Sequence, residues 1–146
     1  MDFADSPDDA RFRATLRAWL AAHTPSRTER VPHDEASLAD EFAFLKSWQR
    51  TLFDAGWLVP GWPPELGGRN ATPVQQMVYF EEFARRQVPR SHNIQGLTIF
   101  APSVIDFGTE AQQQEFALPV LRGEKTACLG MSEPGAGSDL ASLSTR

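Results

Sequence analysis

The chain carries one glycine-rich stretch near its end, Gly130-Met131-Ser132-Glu133-Pro134-Gly135-Ala136-Gly137-Ser138-Asp139. Its proline and glycines predict a loop. Gly135 and Gly137 allow the backbone to approach a ligand closely, because glycine has no Cβ. Backbone N–H groups in such a loop can bind an anion, and the hydroxyls of Ser132 and Ser138 can donate or accept hydrogen bonds. The spacing excludes dinucleotide-binding, P-loop and hydrolase-elbow motifs, and these residues alone leave a plain turn between strands as the alternative.

The loop separates two short stretches that predict β-strands. The run 126–132 is apolar and lacks a helical period, and a second strand can begin at Leu140 and continue to Arg146. Strands need neighbouring strands to satisfy their backbone hydrogen bonds. We therefore expect residues 124–146 to be the truncated start of a β-domain.

Before this point, capped amphipathic stretches predict an all-α helical bundle over residues 1–123. Pro102 lies inside one of these stretches and predicts a kink. The polar residues 26–35 predict a linker, and the Pro- and Gly-rich residues 56–69, which contain two Trp, predict an ordered loop packed on the core. Five helices are expected: one opening at Ser6-Pro7, one over about Ser37–Ala55, one from Thr72-Pro73 to before Pro89, one over about Asn93–Phe107, and one from Thr109 to Gly123.

Composition narrows the range of functions. The 146 residues carry a net charge of −5, which argues against nucleic acid as a partner. Cys128 is the only cysteine, and the three histidines show no ligand spacing, so no metal site is predicted. We expect Cys128 to be a small core residue. No apolar run is long enough to cross a membrane, and the acidic N-terminal stretch lacks signal or transit features, so the expected location is cytoplasmic.

The stretch 130–139 resembles the flavin-binding signature of the acyl-CoA dehydrogenase family. Trp62-Pro63-Pro64-Glu65-Leu66-Gly67-Gly68 is similar to the W-P-x-x-x-G-G loop of that family. Gly108-Thr109-Glu110-Ala111-Gln112, followed by Leu118-Pro119-Val120-Leu121 and Gly123-Glu124, is similar to its G-T-E-x-Q … L-P-x-L-x-x-G-E run. The resemblance covers roughly residues 37–146.

This resemblance implies an oxidoreductase of fatty acid or lipid metabolism that uses FAD to dehydrogenate the α,β bond of an acyl-CoA thioester. It also implies an electron-transfer flavoprotein or similar acceptor, and a homo- or hetero-oligomer. Ser132 should bond the flavin pyrimidine edge, and Ser138 should lie near both the pyrophosphate and the acyl-CoA. The implied cofactor-binding residues are Leu129, Gly130, Met131, Ser132, Gly137 and Ser138, and the implied substrate-binding residue is Ser138.

No catalytic residue is predicted within this chain, because the family's base is a Glu in the C-terminal helical domain. Glu133 is interpreted as part of a structural corner, and Glu81 and Glu82 as helix-packing or solvated acids paired with Arg85 and Arg86. Arg90 and His92 are interpreted as structural rather than as contacts of the acyl tail. Two alternatives stay open: a non-catalytic subunit that stabilises a catalytic one, and an acyl-CoA oxidase on the same scaffold.

Overall fold

The structure, a computed structural model, describes residues 4–25 and 38–144. Helices make up most of these residues, as the sequence predicts. The predicted linker over 26–35 lies outside the described residues. The helices are α1 (Pro7–His23), α2 (Leu38–Asp54), α3 (Pro73–Arg85), α4 (π-helical Gly96–Phe100 continued by α-helical Ala101–Phe107) and α5 (Glu110–Gln112, π-helical Gln113–Ala117 and Leu118–Leu121). Short 3₁₀ turns cover Pro64–Leu66 and Leu140–Ser142.

Side-chain caps begin three of the helices where the sequence predicts them. The Ser6 hydroxyl accepts a hydrogen bond from the N–H of Asp9 at 3.2 Å. Thr72 and Thr109 each form a capping box with the glutamine three residues later. Each cap satisfies an N–H that has no partner within its helix, so it fixes the first turn.

Prolines widen one turn in each of the last two helices. The N–H of Ala101 bonds to the carbonyl oxygen of Gly96, five residues earlier, and Pro102 follows directly. The N–H of Leu118 bonds to Gln113 in the same way, one residue before Pro119. A proline has no N–H and its ring crowds the preceding turn, so a π turn relieves both defects. The predicted distortion at Pro102 is thus present, and Pro119 produces a second one that we did not predict.

The core lies where α1, α2, α5 and the 56–69 loop meet. Leu16, Leu20 and Leu121 are fully buried there, and Trp57 is 1% exposed. The guanidinium of Arg69 lies 3.7 Å from the centroid of the Trp57 ring and covers its outer side. This packing confirms that the loop is ordered on the core, as its apolar residues predict.

The segment after residue 123 differs from the predicted strands. Within the described residues it contains no strand, only an isolated bridge between Glu133 and Ala136, and Leu140–Ser142 is a 3₁₀ turn. Ladder hydrogen bonds require a neighbouring strand, and the described chain supplies none. Cys128 is exposed on this segment, so its assignment to the core was wrong. The boundary between two domains at 123/124 stays a prediction.

The described residues contain neither a membrane-spanning helix nor a group of metal-ligating side chains. No helix in 4–25 or 38–144 is both long and apolar enough to cross a bilayer. In the same ranges no three His, Cys, Asp or Glu side chains are grouped so that they could hold a metal ion.

Candidate functional site

A tight turn forms the centre of the glycine-rich loop. The N–H of Glu133 donates to the carbonyl oxygen of Ala136 at 2.8 Å, and the N–H of Ala136 donates back at 3.1 Å. The Glu133 carboxylate accepts two further hydrogen bonds, from the N–H and the hydroxyl of Ser144, both at 2.9 Å. The Glu133 carboxylate therefore stabilises the loop, which agrees with its interpretation as a structural residue.

The turn brings two of the predicted cofactor residues together. A Cβ added to Gly137 would lie 3.7 Å from Oγ of Ser132, so the two ends of the turn are adjacent. At Gly130 and Gly135 an added Cβ would meet no atom within 4 Å, so the space beside them is open. Met131 is 64% exposed, and Ser138 is exposed as well.

Several hydroxyl and backbone N–H donors around this turn have no hydrogen-bond partner in the described residues. In the described part of the chain, the hydroxyls of Ser132 and Ser138 make no hydrogen bond. The same holds for the backbone N–H groups of 129–132 and of Gly137 and Ser138. Such a set of donors in open space matches the needs of a ligand with carbonyl and phosphate oxygens. The predicted residues therefore fit a flavin nucleotide.

A buried asparagine joins this segment to the helices. Asn93 is 3% exposed and stands just before α4. Its Nδ2 donates to the carbonyl oxygen of Lys125 at 3.2 Å, and its Oδ1 accepts from the N–H of Ala127 at 3.2 Å. No local pattern predicts this role, because the contact spans more than thirty residues.

From Asn93, hydrogen bonds continue into the core through Ser91 and Gln49. The Ser91 hydroxyl accepts from the N–H of Asn93 at 3.0 Å and donates to Oε1 of the fully buried Gln49 at 2.5 Å. Nε2 of Gln49 donates to the carbonyl oxygens of Val120 and Leu121 at 2.7 and 2.9 Å. One chain of hydrogen bonds thus connects the end of α5, α2 and the segment that leads to the loop.

A cavity of about 730 Å³ opens between α3, the 87–91 connection and α4. Its wall is mostly apolar, and Ser91 links it to Asn93, which binds the segment leading to the loop. Its lining residues are Leu52, Leu58, Tyr79, Phe80, Phe83, Ala84, Gln87, Val88, Pro89, Arg90, Ser91, Ile94, Leu97 and Thr98. Sequence reasoning missed the cavity, because it depends on how the helices pack.

Arginines of α1 bind the acidic pair on α3. Glu82 is 3% exposed and receives two hydrogen bonds from Arg17 and one from Arg13, all at 2.8 Å. These guanidinium groups hold its pKa below the ordinary value, against the opposing effect of burial. Arg13 also bonds to Glu81. Helix packing by Glu82 agrees with expectation, but its partners lie on α1, so the predicted pairing with Arg85 and Arg86 was wrong.

The helical part of the chain matches a known protein family. The family described as "Acyl-CoA dehydrogenase, N-terminal domain" matches residues 6–124, and this chain belongs to the acyl-CoA dehydrogenase family.

Among its relatives, the chain is 37% identical to acyl-CoA dehydrogenase IpdE1 of Mycobacterium tuberculosis, over 94% of this chain and 36% of the relative. It is 32% identical to acyl-CoA dehydrogenase FadE26 of the same organism, over 99% of this chain and 36% of the relative. The chain therefore spans about a third of the length of these relatives.

Solved structures agree with these relatives. The ChsE4-ChsE5 complex from Mycobacterium tuberculosis superposes with a TM-score of 0.68 at 29% identity, over 98% of this chain and 35% of that one. A structure named "Tcur3481-Tcur3483 steroid ACAD" gives a TM-score of 0.65 at 31% identity, over 100% of this chain and 37% of that one.

Proposed function

We propose that this chain supplies the flavin-contacting loop and part of the acyl site of an FAD-dependent acyl-CoA dehydrogenase, which oxidises the α,β bond of an acyl-CoA thioester. The observation that carries the proposal is the loop at 129–138, where backbone and hydroxyl donors surround open space at Gly130 and Gly135. Membership of the family supports the same reading.

Each residue of the loop has a separate role in this proposal. Ser132 donates its hydroxyl to the pyrimidine edge of the flavin, and the backbone of 129–131 lines the ring. Gly137 and Ser138 bind the pyrophosphate, and Ser138 also contacts the acyl-CoA. FAD, when bound, supplies the hydride acceptor for the oxidation. Donors held at the pyrimidine edge stabilise the negative charge that develops there.

In this proposal neither Glu82 nor Glu133 is the base that removes the α-proton. Glu82 is held between two arginines, and Glu133 is bonded to Ser144. In the family resemblance the base is a Glu of the C-terminal helical domain. We therefore assign no catalytic residue to this chain.

The apolar cavity beside α3 is the proposed site of the acyl group. Its volume of about 730 Å³ lies within the range of about 300–1,000 Å³ for small-molecule sites. Ser91 connects its wall to Asn93, which holds the segment leading to the loop, so the acyl and flavin sites share one support. One structural relative is named a steroid ACAD, which supports a bulky acyl group.

Partners follow from the same reaction. Electrons leave the reduced flavin to an electron-transfer flavoprotein or a similar acceptor, and the enzyme is an oligomer. We also propose a cytoplasmic location, since a single exposed cysteine suits a reducing compartment.

A second candidate function is a non-catalytic subunit in a pair of different chains. Two structural relatives are named as pairs, ChsE4-ChsE5 and Tcur3481-Tcur3483, which favours it. Expression of the complete protein with and without a co-expressed second subunit separates the two readings. A catalytic chain retains FAD and is reduced by acyl-CoA, whereas a supporting chain contributes only to the stability of the assembly.

The test of the flavin site is Ser132→Ala in the complete enzyme. A hydrogen bond of about 0.5–1.5 kcal/mol predicts a loss of roughly two- to tenfold in FAD affinity or in the rate of anaerobic flavin reduction. Ser132→Thr keeps the hydroxyl and should be nearly silent. Ser103→Ala removes an exposed hydroxyl of α4 that bonds to Ile99 and serves as the matched control. Unchanged affinity and reduction in Ser132→Ala would remove this residue from the site.

A further inference from the structure

We propose that the cavity beside α3 selects acyl groups that carry a hydrogen-bond-accepting oxygen away from the thioester, and that Tyr79 and Arg90 bind this oxygen. The inference rests on the proposed function, since it takes the cavity to hold the acyl group. It adds a substrate class and two specificity-determining residues.

Tyr79 contributes a donor that has no partner in the described protein. The residue is 6% exposed, and its ring is fixed between Phe80 and Phe83, with centroids at 5.3 and 4.0 Å. Its hydroxyl makes no hydrogen bond with any residue in the described ranges, although it belongs to the cavity wall. Burial raises the pKa of this phenol, so it stays protonated and can donate. The hydroxyl oxygen is not among the buried unpaired polar atoms of the described residues, so it is accessible and can donate to an acceptor on a ligand.

Arg90 contributes the only charge on the described wall of the cavity. It makes no ion pair and no hydrogen bond with any described residue. Three arginines elsewhere, in contrast, form ion pairs: Arg13 and Arg17 bind Glu82, and Arg50 binds Asp54. The guanidinium of Arg90 is thus available to a ligand.

Three other polar residues of the wall, Gln87, Ser91 and Thr98, already have partners within the protein. The Ser91 hydroxyl donates to Gln49, and the Thr98 hydroxyl donates to the carbonyl oxygen of Ile94 at 2.8 Å. The available groups, Tyr79 and Arg90, are both donors, and no acid belongs to the described lining. A hydrocarbon chain would leave both donors unpaired, whereas a ketone or carboxylate oxygen would satisfy them.

The experiment compares three acyl-CoA probes of equal carbon number in the complete, FAD-loaded enzyme. They are octanoyl-CoA, its analogue with a ketone at the penultimate carbon, and the monothioester of suberic acid. Rates of anaerobic flavin reduction at several probe concentrations give the second-order rate constant of reduction, and calorimetric titration of the enzyme with its flavin already reduced gives Kd without turnover. We expect the wild-type enzyme to prefer at least one oxygenated probe over octanoyl-CoA.

The variants Arg90→Met and Tyr79→Phe should lower that preference. A hydrogen bond to a charged group corresponds to roughly ten- to hundredfold, which we expect for Arg90→Met on the carboxylate probe. Tyr79→Phe removes one hydroxyl and should act mainly on the ketone probe, by about two- to tenfold. Arg86→Met removes an exposed arginine outside the cavity and should leave the preference unchanged.

The possible outcomes distinguish a failure of this inference from a failure of the proposed function. Flavin reduction by all three probes with no preference in wild type, or a preference unchanged in both variants, overturns the inference and leaves the proposed function intact. Absence of bound FAD, or of reduction by any acyl-CoA, overturns the proposed function. Arg90 is exposed, so its variant reports on the inference even if Tyr79→Phe fails to fold.

Discussion

The side-chain oxygen of Asn93 accepts a hydrogen bond from the backbone N–H of Ala127 at 3.2 Å, and the amide nitrogen of the same side chain donates to Lys125. One side chain thereby satisfies an N–H and a C=O on the same edge of an extended segment, as a neighbouring strand would. This edge leads directly into the candidate flavin loop. This buried amide therefore helps to fix the position of the loop relative to the helices.

Asn93→Ala should loosen the loop without disturbing the helical core. The substitution leaves the N–H of Ala127 and the carbonyl oxygen of Lys125 unpaired, which costs about 1–3 kcal/mol where these groups are buried. We expect weaker FAD binding in the complete enzyme, measured by fluorescence titration, and a lower thermal midpoint. Gln95→Ala, an exposed position in the next turn, is the control. Equal FAD affinity in Asn93→Ala and wild type would contradict a positioning role.

Glu82→Gln should destabilise the contact between α1 and α3. The neutral amide cannot accept the three charge-assisted bonds from Arg13 and Arg17. Each hydrogen bond to a charged group is worth about 1.5–3 kcal/mol, and we expect a net loss of that order in the free energy of unfolding, measured by urea denaturation. Glu81→Gln removes an exposed partner of Arg13 and should cost far less.

The acid limb of the stability curve provides a second check of Glu82. Its pKa is lower in the folded protein than its ordinary value of 4.5, so folding favours the ionised form. The stabilisation is therefore complete above about pH 4.5 and is lost as the pH falls through the lowered pKa of the folded state. Glu82→Gln should flatten this part of the curve, and an unchanged acid limb would mean that other carboxylates dominate it.

Local sequence signals predicted the helices but not the contacts between them. Ser6, Thr72 and Thr109 cap helices because the residues that they bond lie three positions away. Pro102 predicted a distortion for an equally local reason. The partners of Glu82 lie 65 and 69 residues away on α1, and no local pattern distinguishes them from the nearer Arg85.

In the candidate site, too, the locally encoded loop was predicted, whereas features that depend on contacts between distant residues were not. Proline and glycines predicted the loop at 130–139, and the family resemblance assigned it to flavin binding; the structure describes its turn and the open space beside it. The cavity and the unpaired hydroxyl of Tyr79 arise only when α3 and α4 pack. Cys128 was misplaced because an apolar run predicts burial only if a neighbouring strand covers it, and none does so in the described residues.

His92→Phe should remove a loss of stability at mildly acid pH. Both ring nitrogens of His92 are buried without a hydrogen-bond partner among the described residues, and the ring packs edge-on against Phe42 at 4.4 Å. Burial, with a smaller contribution from the charge of Lys46, lowers its pKa below the ordinary 6.5.

The sign of the effect follows from that direction. Below about pH 6.5 the unfolded chain binds the proton more readily than the folded one, so stability falls as the pH drops towards the lowered pKa. Thermal midpoints between about pH 7.5 and 5 should decline less in His92→Phe than in wild type. His23→Gln changes an exposed histidine that bonds to Trp19 and should retain the decline. A parallel decline in His92→Phe would rule out this titration.

Two glycine substitutions should separate an effect on folding from an effect on flavin binding. A Cβ at Gly68 would overlap the backbone carbonyl of Trp62 and lie 2.6 Å from the carbonyl oxygen of Val59, and neither backbone group can move aside cheaply. Gly68→Ala should therefore lower the free energy of unfolding by about 1–3 kcal/mol, as overpacking does. A Cβ at Gly130 would meet no protein atom within 4 Å, so Gly130→Ala should unfold like wild type. Because that open space is the proposed place of the flavin, Gly130→Ala should instead weaken FAD binding. Thermal denaturation and FAD titration of both variants in the complete enzyme separate the effects, and full FAD affinity in Gly130→Ala would exclude close contact at this position.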